Sequence, residues 1–107
     1  MDDFKYVIMD ALKQINGKWD TIIIKLLSNK DLRYNEILKN INNITPKSLS
    51  ESLKKLNQHN IIGRNVVSTQ PFTVIYSLTE KGTELIKHLN GLEEWENTCE
   101  KKGKGYN

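Results

Sequence analysis

Lys47, Ser48, Ser50, Glu51, Lys54 and Lys55 lie between residues 45 and 59 at spacings that place them on one side of a helix, away from Leu49, Leu53 and Leu56. Short hydroxyls and ammonium groups on one face offer hydrogen-bond donors and positive charge without bulk, so the backbone that carries them can approach an anionic surface closely. Thr45 opens the same segment, and Arg33 before it and Thr69, Gln70 and Thr73 after it add further polar groups. This is the chemistry of binding. Covalent chemistry has no comparable set: there is no Ser-His-Asp arrangement, no phosphate-cradling glycine loop and no placed carboxylate pair, so the chain is not expected to be an enzyme or to need a cofactor. His59 and His88 stand far apart without clustered carboxylate or thiol partners, and no metal site is expected. The single cysteine, Cys99, permits no intramolecular disulfide. Glu96 and Glu100 flank it, which argues for a small hydrophobe on an apolar stripe rather than a reactive thiolate.

The elements that must position these groups follow from apolar periodicity. Phe4, Val7, Ile8, Ala11, Leu12 and Ile15 predict a first helix over about 4–15, stopped by Asn16-Gly17 with the glycine free to take positive φ. A second helix begins near Lys18 and turns Trp19, Ile22, Ile23, Leu26 and Leu27 to one broad face. Leu32-Arg33-Tyr34 is short and extended, and Asn35 is a fitting N-cap for a short helix with Ile37, Leu38 and Ile41 inward. Thr45-Pro46, a polar cap and a proline at the first helical position, opens the helix of about 45–59; Ile61-Ile62-Gly63 closes it, and Ser52 reads as part of its polar face. Residues 64–68 and 73–78 read as two strands joined through Thr69-Gln70-Pro71-Phe72. Thr79 caps a last helix over about 79–99 with Leu85, Leu89, Leu92, Trp95 and Cys99 on its stripe, and 101–107 reads as a flexible tail.

A chain of 107 residues with 30 Leu, Ile, Val and Phe is one domain with a packed core, well above the roughly 20% apolar content of disordered chains. No apolar run approaches the roughly 18 residues of a membrane helix. Met1-Asp2-Asp3-Phe4 lacks the basic-then-apolar design of a signal peptide, so a cytoplasmic location is expected. The net charge of +3 hints at nucleic acid, but fourteen of the sixteen basic residues are lysine in a chain rich in Lys, Asn and Ile, so the location of charge matters more than the total. Residues 30–70 carry seven basic residues (Lys30, Arg33, Lys39, Lys47, Lys54, Lys55 and Arg64) against Asp31, Glu36 and Glu51. Residues 79–100 carry six glutamates against Lys81 and Lys87. The middle is basic and the last helix acidic.

The order helix, helix, short helix, polar-faced helix, hairpin, helix describes a mainly α fold with a small β-hairpin: a winged helix-turn-helix over 1–100, with extra N- and C-terminal helices for dimerisation. The major groove of double-stranded DNA admits one α-helix, so 45–59 is the expected recognition helix and 64–78 the wing. The terminal stripes (Phe4, Val7, Ile8 and Ala11 with Leu85, Leu89, Leu92, Trp95 and Cys99) extend beyond the roughly 70 residues of a lone winged helix. They imply a homodimer on a near-palindromic operator. The competing readings are a solvated helix face and a winged helix that docks on proteins without reading DNA.

Ile15-Asn16-Gly17-Lys18-Trp19, Leu32-Arg33-Tyr34-Asn35-Glu36-Ile37, Ile44-Thr45-Pro46-Lys47-Ser48-Leu49, Leu53-Lys54-Lys55-Leu56 and Tyr76-Ser77-Leu78-Thr79-Glu80-Lys81-Gly82 together resemble HxlR-type winged helix-turn-helix transcriptional regulators, over about residues 7–98. The resemblance implies a bacterial homodimeric DNA-binding repressor or activator, open to an unspecified small-molecule effector in the cleft between the terminal helices and the winged core. Two departures stand out. Many members carry a cysteine just before the first helix, where this chain has Met1-Asp2-Asp3-Phe4-Lys5-Tyr6. The family's wing often reads Pro-Pro-Arg-Val-Glu-Tyr, where this chain has Pro71-Phe72-Thr73-Val74-Ile75-Tyr76 and so lacks the arginine.

Overall fold

Ile23, Ile24, Ile37, Leu49, Leu56, Ile61 and Ile62 are almost fully removed from solvent and define where the helices and the sheet meet. The computed structural model describes residues 6–106. Its elements are α1 (Val7–Lys13), α2 (Asp20–Leu27), β1 (Leu32–Arg33), α3 (Tyr34–Asn40), α4 (Pro46–Gln58), β2 (Ile62–Thr69), β3 (Phe72–Leu78) and α5 (Glu80–Tyr106). The hairpin is joined by a third strand: β1 pairs antiparallel with β3, giving a sheet of order β1-β3-β2. This is the mainly α winged helix-turn-helix expected, with one strand more than the hairpin alone.

Several boundaries differ from the sequence expectation, each for a local reason. α1 is confined to Val7–Lys13, and Phe4 lies outside the described residues. α2 starts at Asp20 rather than Lys18 because Trp19 takes the N-cap position and the Asp20 carboxylate turns back to accept the Gly17 N–H at 2.8 Å. Gly17 does not adopt positive φ. Its role is space, since a Cβ there would sit 2.8 Å from Asp20 Oδ2. α3 begins one residue before the expected Asn35 cap: Arg33 is the N-cap, and the Glu36 carboxylate accepts its backbone N–H at 2.8 Å.

Asparagine, not glycine, takes the left-handed positions, with φ of 70° at Asn43 and 64° at Asn60. Asn60 ends α4. The Ile61 N–H reaches back to Leu56 O at 2.9 Å and the Asn60 N–H to Asn57 O at 3.0 Å, and buried Ile61 packs beside buried Leu56. At the front of α4 the expected cap is present: Thr45 Oγ1 accepts the Ser48 N–H at 3.1 Å, and Pro46 occupies the first turn. Ser52, expected on the polar face, is buried beside Leu49, Leu53 and Leu56.

β2 and β3 pair from Ile62 opposite Leu78 to Thr69 opposite Phe72, with a register shift between Val66 and Ser68, so the turn is two residues, Gln70-Pro71, rather than four. Thr79 caps α5, its hydroxyl accepting the Gly82 N–H at 3.1 Å. α5 continues to Tyr106, so the segment expected as a tail after residue 100 is helical as far as Tyr106. Gly103 and Gly105 lower helix propensity but keep their N–H donors, and no proline interrupts the turn. Lys25 of α2 holds the middle of α5 through Glu93 at 2.6 Å and Asn90 at 2.8 Å.

Candidate nucleic-acid interface

The turn between α3 and α4 is anchored by buried Ile41 and Ile44, which sets the angle between the two helices. Tyr34 adds a second brace: its hydroxyl lies 3.1 Å from Pro46 O and 3.2 Å from Ser50 Oγ, tying the start of α3 to the first turns of α4. Leu49, Leu53 and Leu56 then fix which way α4 faces. Lys47, Ser50, Glu51 and Lys54 are exposed and Ser48 is half-buried, so these five predicted residues share one accessible surface. The Thr45 hydroxyl sits at the edge of this surface and is already engaged as the helix cap.

Lys55 is the exception. The sequence placed it with the DNA-facing residues, but its ammonium turns inward, 2.7 Å from Asp20 Oδ2 and 2.5 Å from Asn16 Oδ1. Asp20 is 1% exposed and the Lys55 side chain 29%, so the pair is a structural tie between α4 and the start of α2. The cause is the i, i+3 step from Ser52 to Lys55, which puts Lys55 at the border of the buried stripe. The signal available in the sequence was the acid at Asp20, in a segment otherwise read as an apolar face.

Arg33 is exposed beside α3, with its Nε 3.8 Å from Glu36 Oε1. The Arg33 backbone N–H, more than any charge, holds the Glu36 carboxyl below its ordinary value. At this surface position the pairing leaves the guanidinium open to solvent. On the wing, Thr69 and Gln70 are exposed, whereas the Thr73 hydroxyl is half-buried and donates to Pro71 O at 3.1 Å, so Thr73 has no free proton for a ligand. Phe72 at the tip is 64% exposed. Arg64, visible in the sequence only as part of the basic middle, stands on β2 beside α4 and lines a cleft with Lys54.

The terminal helices divide the predicted dimer residues. α1 buries none of its residues: Val7 and Ile8 are about 60% exposed, and Ala11 is exposed as well. On α5, Leu92, Trp95 and Cys99 are exposed, while Leu85 and Leu89 are half-buried against the protomer's own core. Those last two therefore serve the core rather than a free surface, because α2 and the sheet already cover that part of the stripe. Tyr6, Met9 and Leu12 of the N-terminal segment and Ile22 of α2 add exposed apolar area that the sequence reading did not assign to an interface. No helix among the described residues is long and apolar enough to cross a membrane.

The family model described as HxlR-like helix-turn-helix matches residues 14–103. A transcriptional regulator of the helix-turn-helix type from Methanothermobacter thermautotrophicus is 35% identical over 94 residues, covering 88% of this chain and 72% of its own. The regulator YodB of Bacillus subtilis is 38% identical over 85 residues, covering 79% of this chain and 76% of its own. Among solved structures, quinone-bound YodB aligns with a TM-score of 0.74 at 34% identity over 85% of this chain and 94% of that one. A regulator described as of the MarR family from Enterococcus faecalis V583 aligns with a TM-score of 0.85 at 28% identity, over 92% of this chain and 89% of that one.

Proposed function

The chain belongs to the HxlR-like helix-turn-helix family of DNA-binding transcriptional regulators, and we propose that it works as a homodimer whose two α4 helices read a near-palindromic operator. The observation that carries the proposal is the α4 surface. One side of the helix is locked into the core by three leucines, and the other presents Lys47, Glu51 and Lys54 to solvent, with Ser50 exposed beside Tyr34 and Ser48 half-buried. Short side chains admit close approach to base edges, and the lysines reach phosphates. Members of this family are regulators and not enzymes, and the protein-docking alternative loses its ground to the relatives' shared role. Repression or activation follows from where the operator lies relative to a promoter. A regulator of this kind acts in the cytoplasm, where its DNA is.

The test is a footprint over the DNA around its own gene, followed by gel shifts on the protected site. Lys47→Ala and Ser48→Ala should each weaken operator binding by about 1 kcal/mol or more, and Lys47→Ala should also lower the salt slope by about one unit. Neither side chain is in the buried core, so the melting temperature should hold. Unchanged affinity for both variants would remove α4 as the reading helix.

The dimer reading rests on α1 and the outer half of α5. Seven residues make too short a helix to persist in water without tertiary contacts, yet α1 buries nothing within the protomer. A second copy of the chain covers both stripes at once by two-fold symmetry and sets the α4 helices roughly 34–36 Å apart. Sedimentation equilibrium at micromolar concentration should return about twice the 12.4 kDa chain mass, and Trp95→Glu should shift it toward one. A wild-type protein sedimenting as a single chain would overturn the dimer. YodB binds a quinone, which supports a small-molecule effector here too. We place it in the groove of about 640 Å³ between α2 and α5, walled by Ile22, Leu26 and Leu89 with Lys25 and Glu93 at its edge.

A further inference from the structure

We propose that the cleft between α4 and the wing is a seat for one backbone phosphate of bound DNA, held by Arg64 and Lys54 with the Tyr76 hydroxyl. The inference rests on the reading of α4 as the helix that enters the major groove; it gives Lys54 of that surface a partner cation on the wing, Arg64.

The cleft follows from two registers. Ser50, Leu53, Lys54 and Asn57 stand at i, i+3, i+4 and i+7 on α4 and form the stripe that faces the sheet. Arg64 of β2 and Tyr76 of β3 are direct cross-strand partners, so their side chains leave the sheet on the same face. With Tyr34 these residues enclose about 220 Å³. Asn57 donates from Nδ2 to Ile62 O at 3.0 Å, which ties the end of α4 to the start of β2 and fixes the width of the cleft.

The donor inventory narrows what the cleft can take. Tyr34 has one hydroxyl proton, and the Pro46 carbonyl at 3.1 Å can only accept it. Ser50 must then donate its own proton to Tyr34 Oη across 3.2 Å. Both hydroxyls are spent inside the protein. What remains is the Lys54 ammonium, the Arg64 guanidinium, the Tyr76 hydroxyl and the second Asn57 Nδ2 proton, all of them donors, and no carboxylate lines the cleft. Among the described residues neither Lys54 nor Arg64 has an acid within ion-pair distance. Two cations in one cleft repel unless an anion sits between them, and a guanidinium matches the paired oxygens of a phosphate.

DNA geometry supplies the anion. A helix in the major groove and a wing at the neighbouring minor groove straddle the sugar-phosphate strand that separates the two grooves, and that strand must cross the space between them. Gln70-Pro71-Phe72 at the wing tip carries no cation, so the wing's charge is applied at its base, by Arg64, rather than at its tip.

Phosphate contacts do not depend on sequence, so the test needs no operator. The full chain is titrated onto a fluorescein-labelled duplex of arbitrary sequence, two helical turns long, over roughly 50–200 mM KCl, and log Kobs is plotted against log salt. Arg64→Gln and Lys54→Gln should each lower the slope by about 0.9 and weaken binding roughly five- to tenfold at moderate salt. Arg64→Lys should keep the slope, and Tyr76→Phe should weaken binding about twofold to fivefold without changing the slope. Arg64 is exposed, so an unchanged melting temperature confirms that the variant is folded. If Lys47→Gln lowers the slope while Arg64→Gln and Lys54→Gln do not, the phosphate seat is wrong and the α4 reading stands. If none of the three lowers it, both are wrong. Micromolar binding of inorganic phosphate to the free protein, abolished by Arg64→Gln, would make the cleft a small-anion site and overturn the assignment to DNA.

Discussion

Lys55→Ala is expected to destabilise the fold by about 3–5 kcal/mol, a larger effect than any substitution on the α4 surface around it. The reason is what the lysine leaves behind. Asp20 Oδ2 receives the Lys55 ammonium at 2.7 Å and the Gly17 N–H at 2.8 Å, while Oδ1 is buried without a hydrogen-bond partner. Removing the ammonium strands a carboxylate that is 1% exposed on a single backbone donor. The Lys55 side chain keeps 29% exposure, so solvent screening argues for the lower part of the range. Asp20→Asn with Lys55→Met removes both charges at similar volume and keeps an acceptor for the Gly17 N–H, so it should recover part of the loss, since removing both members of a buried pair costs less than stranding one. Urea unfolding of the wild type, the single variants and the double variant measures the coupling directly. A loss below about 1 kcal/mol for Lys55→Ala would mean the pair is effectively solvated. The DNA consequence separates the two roles of lysine on α4: at concentrations where Lys55→Ala is folded, its salt slope on duplex DNA should equal that of the wild type, whereas Lys47→Ala should lose about one unit.

The Lys55–Asp20 pair also marks the limit of what helical periodicity specifies. Helix existence and facing were legible because Leu49, Leu53 and Leu56 repeat at helical spacing over a long element, and the Thr45-Pro46 start carries a mechanism that the structure displays. Lys55 was misplaced because periodicity assigns a residue to a side of a helix, not to a partner, and the partner here is thirty-five positions away in sequence. The left-handed positions at Asn43 and Asn60 are hidden because glycine is the default residue there, while asparagine fills that conformation through its short polar side chain. The extended stretch at Leu32-Arg33 is legible, but its place in the sheet is not, for a different reason. Two residues are too few to name a partner, and Leu32 and Arg33 become a sheet strand by pairing with Tyr76 and Ile75. Arg64 reads in the sequence as charge alone because its neighbour Tyr76 is fixed by hairpin register, which shifts at the bulge between Val66 and Ser68. The candidate interface was therefore readable as a face and a charge, and not as a set of contacts.

Gly82→Ala and Gly91→Ala should move stability in opposite directions although both lie within α5. In an ordinary helix interior alanine is favoured over glycine by roughly 0.5–1 kcal/mol, and Gly91 has nothing within 4 Å of an added Cβ, so Gly91→Ala should stabilise by about that amount. At Gly82 the added Cβ would lie 2.2 Å from Ile61 O and 3.1 Å from a Leu78 methyl. That carbonyl cannot swing aside cheaply, because it accepts the Thr79 N–H at 3.1 Å, and the Thr79 hydroxyl, 2.6 Å from Asn60 O and 3.0 Å from Ile61 O, holds the same stretch of backbone. The first turn of α5 must instead retreat from the junction where α4 ends and β2 begins, at a cost of about 3 kcal/mol or more, the upper end of overpacking penalties. The retreat also has a functional reading. α5 carries Trp95 and Cys99, the outer part of the proposed dimer stripe, on the same rigid helix whose first turn Gly82 seats against the end of the reading helix. Tilting α5 at its base displaces one protomer's α4 relative to its partner's. Gly82→Ala should therefore lose affinity for a near-palindromic operator more than for an arbitrary duplex, because only the former needs both α4 helices at a fixed spacing. Thermal unfolding reads the stability change, and paired titrations on the two duplexes read the spacing. Equal stability for the two alanine variants would show that the carbonyl yields and that α5 is not seated by close backbone approach.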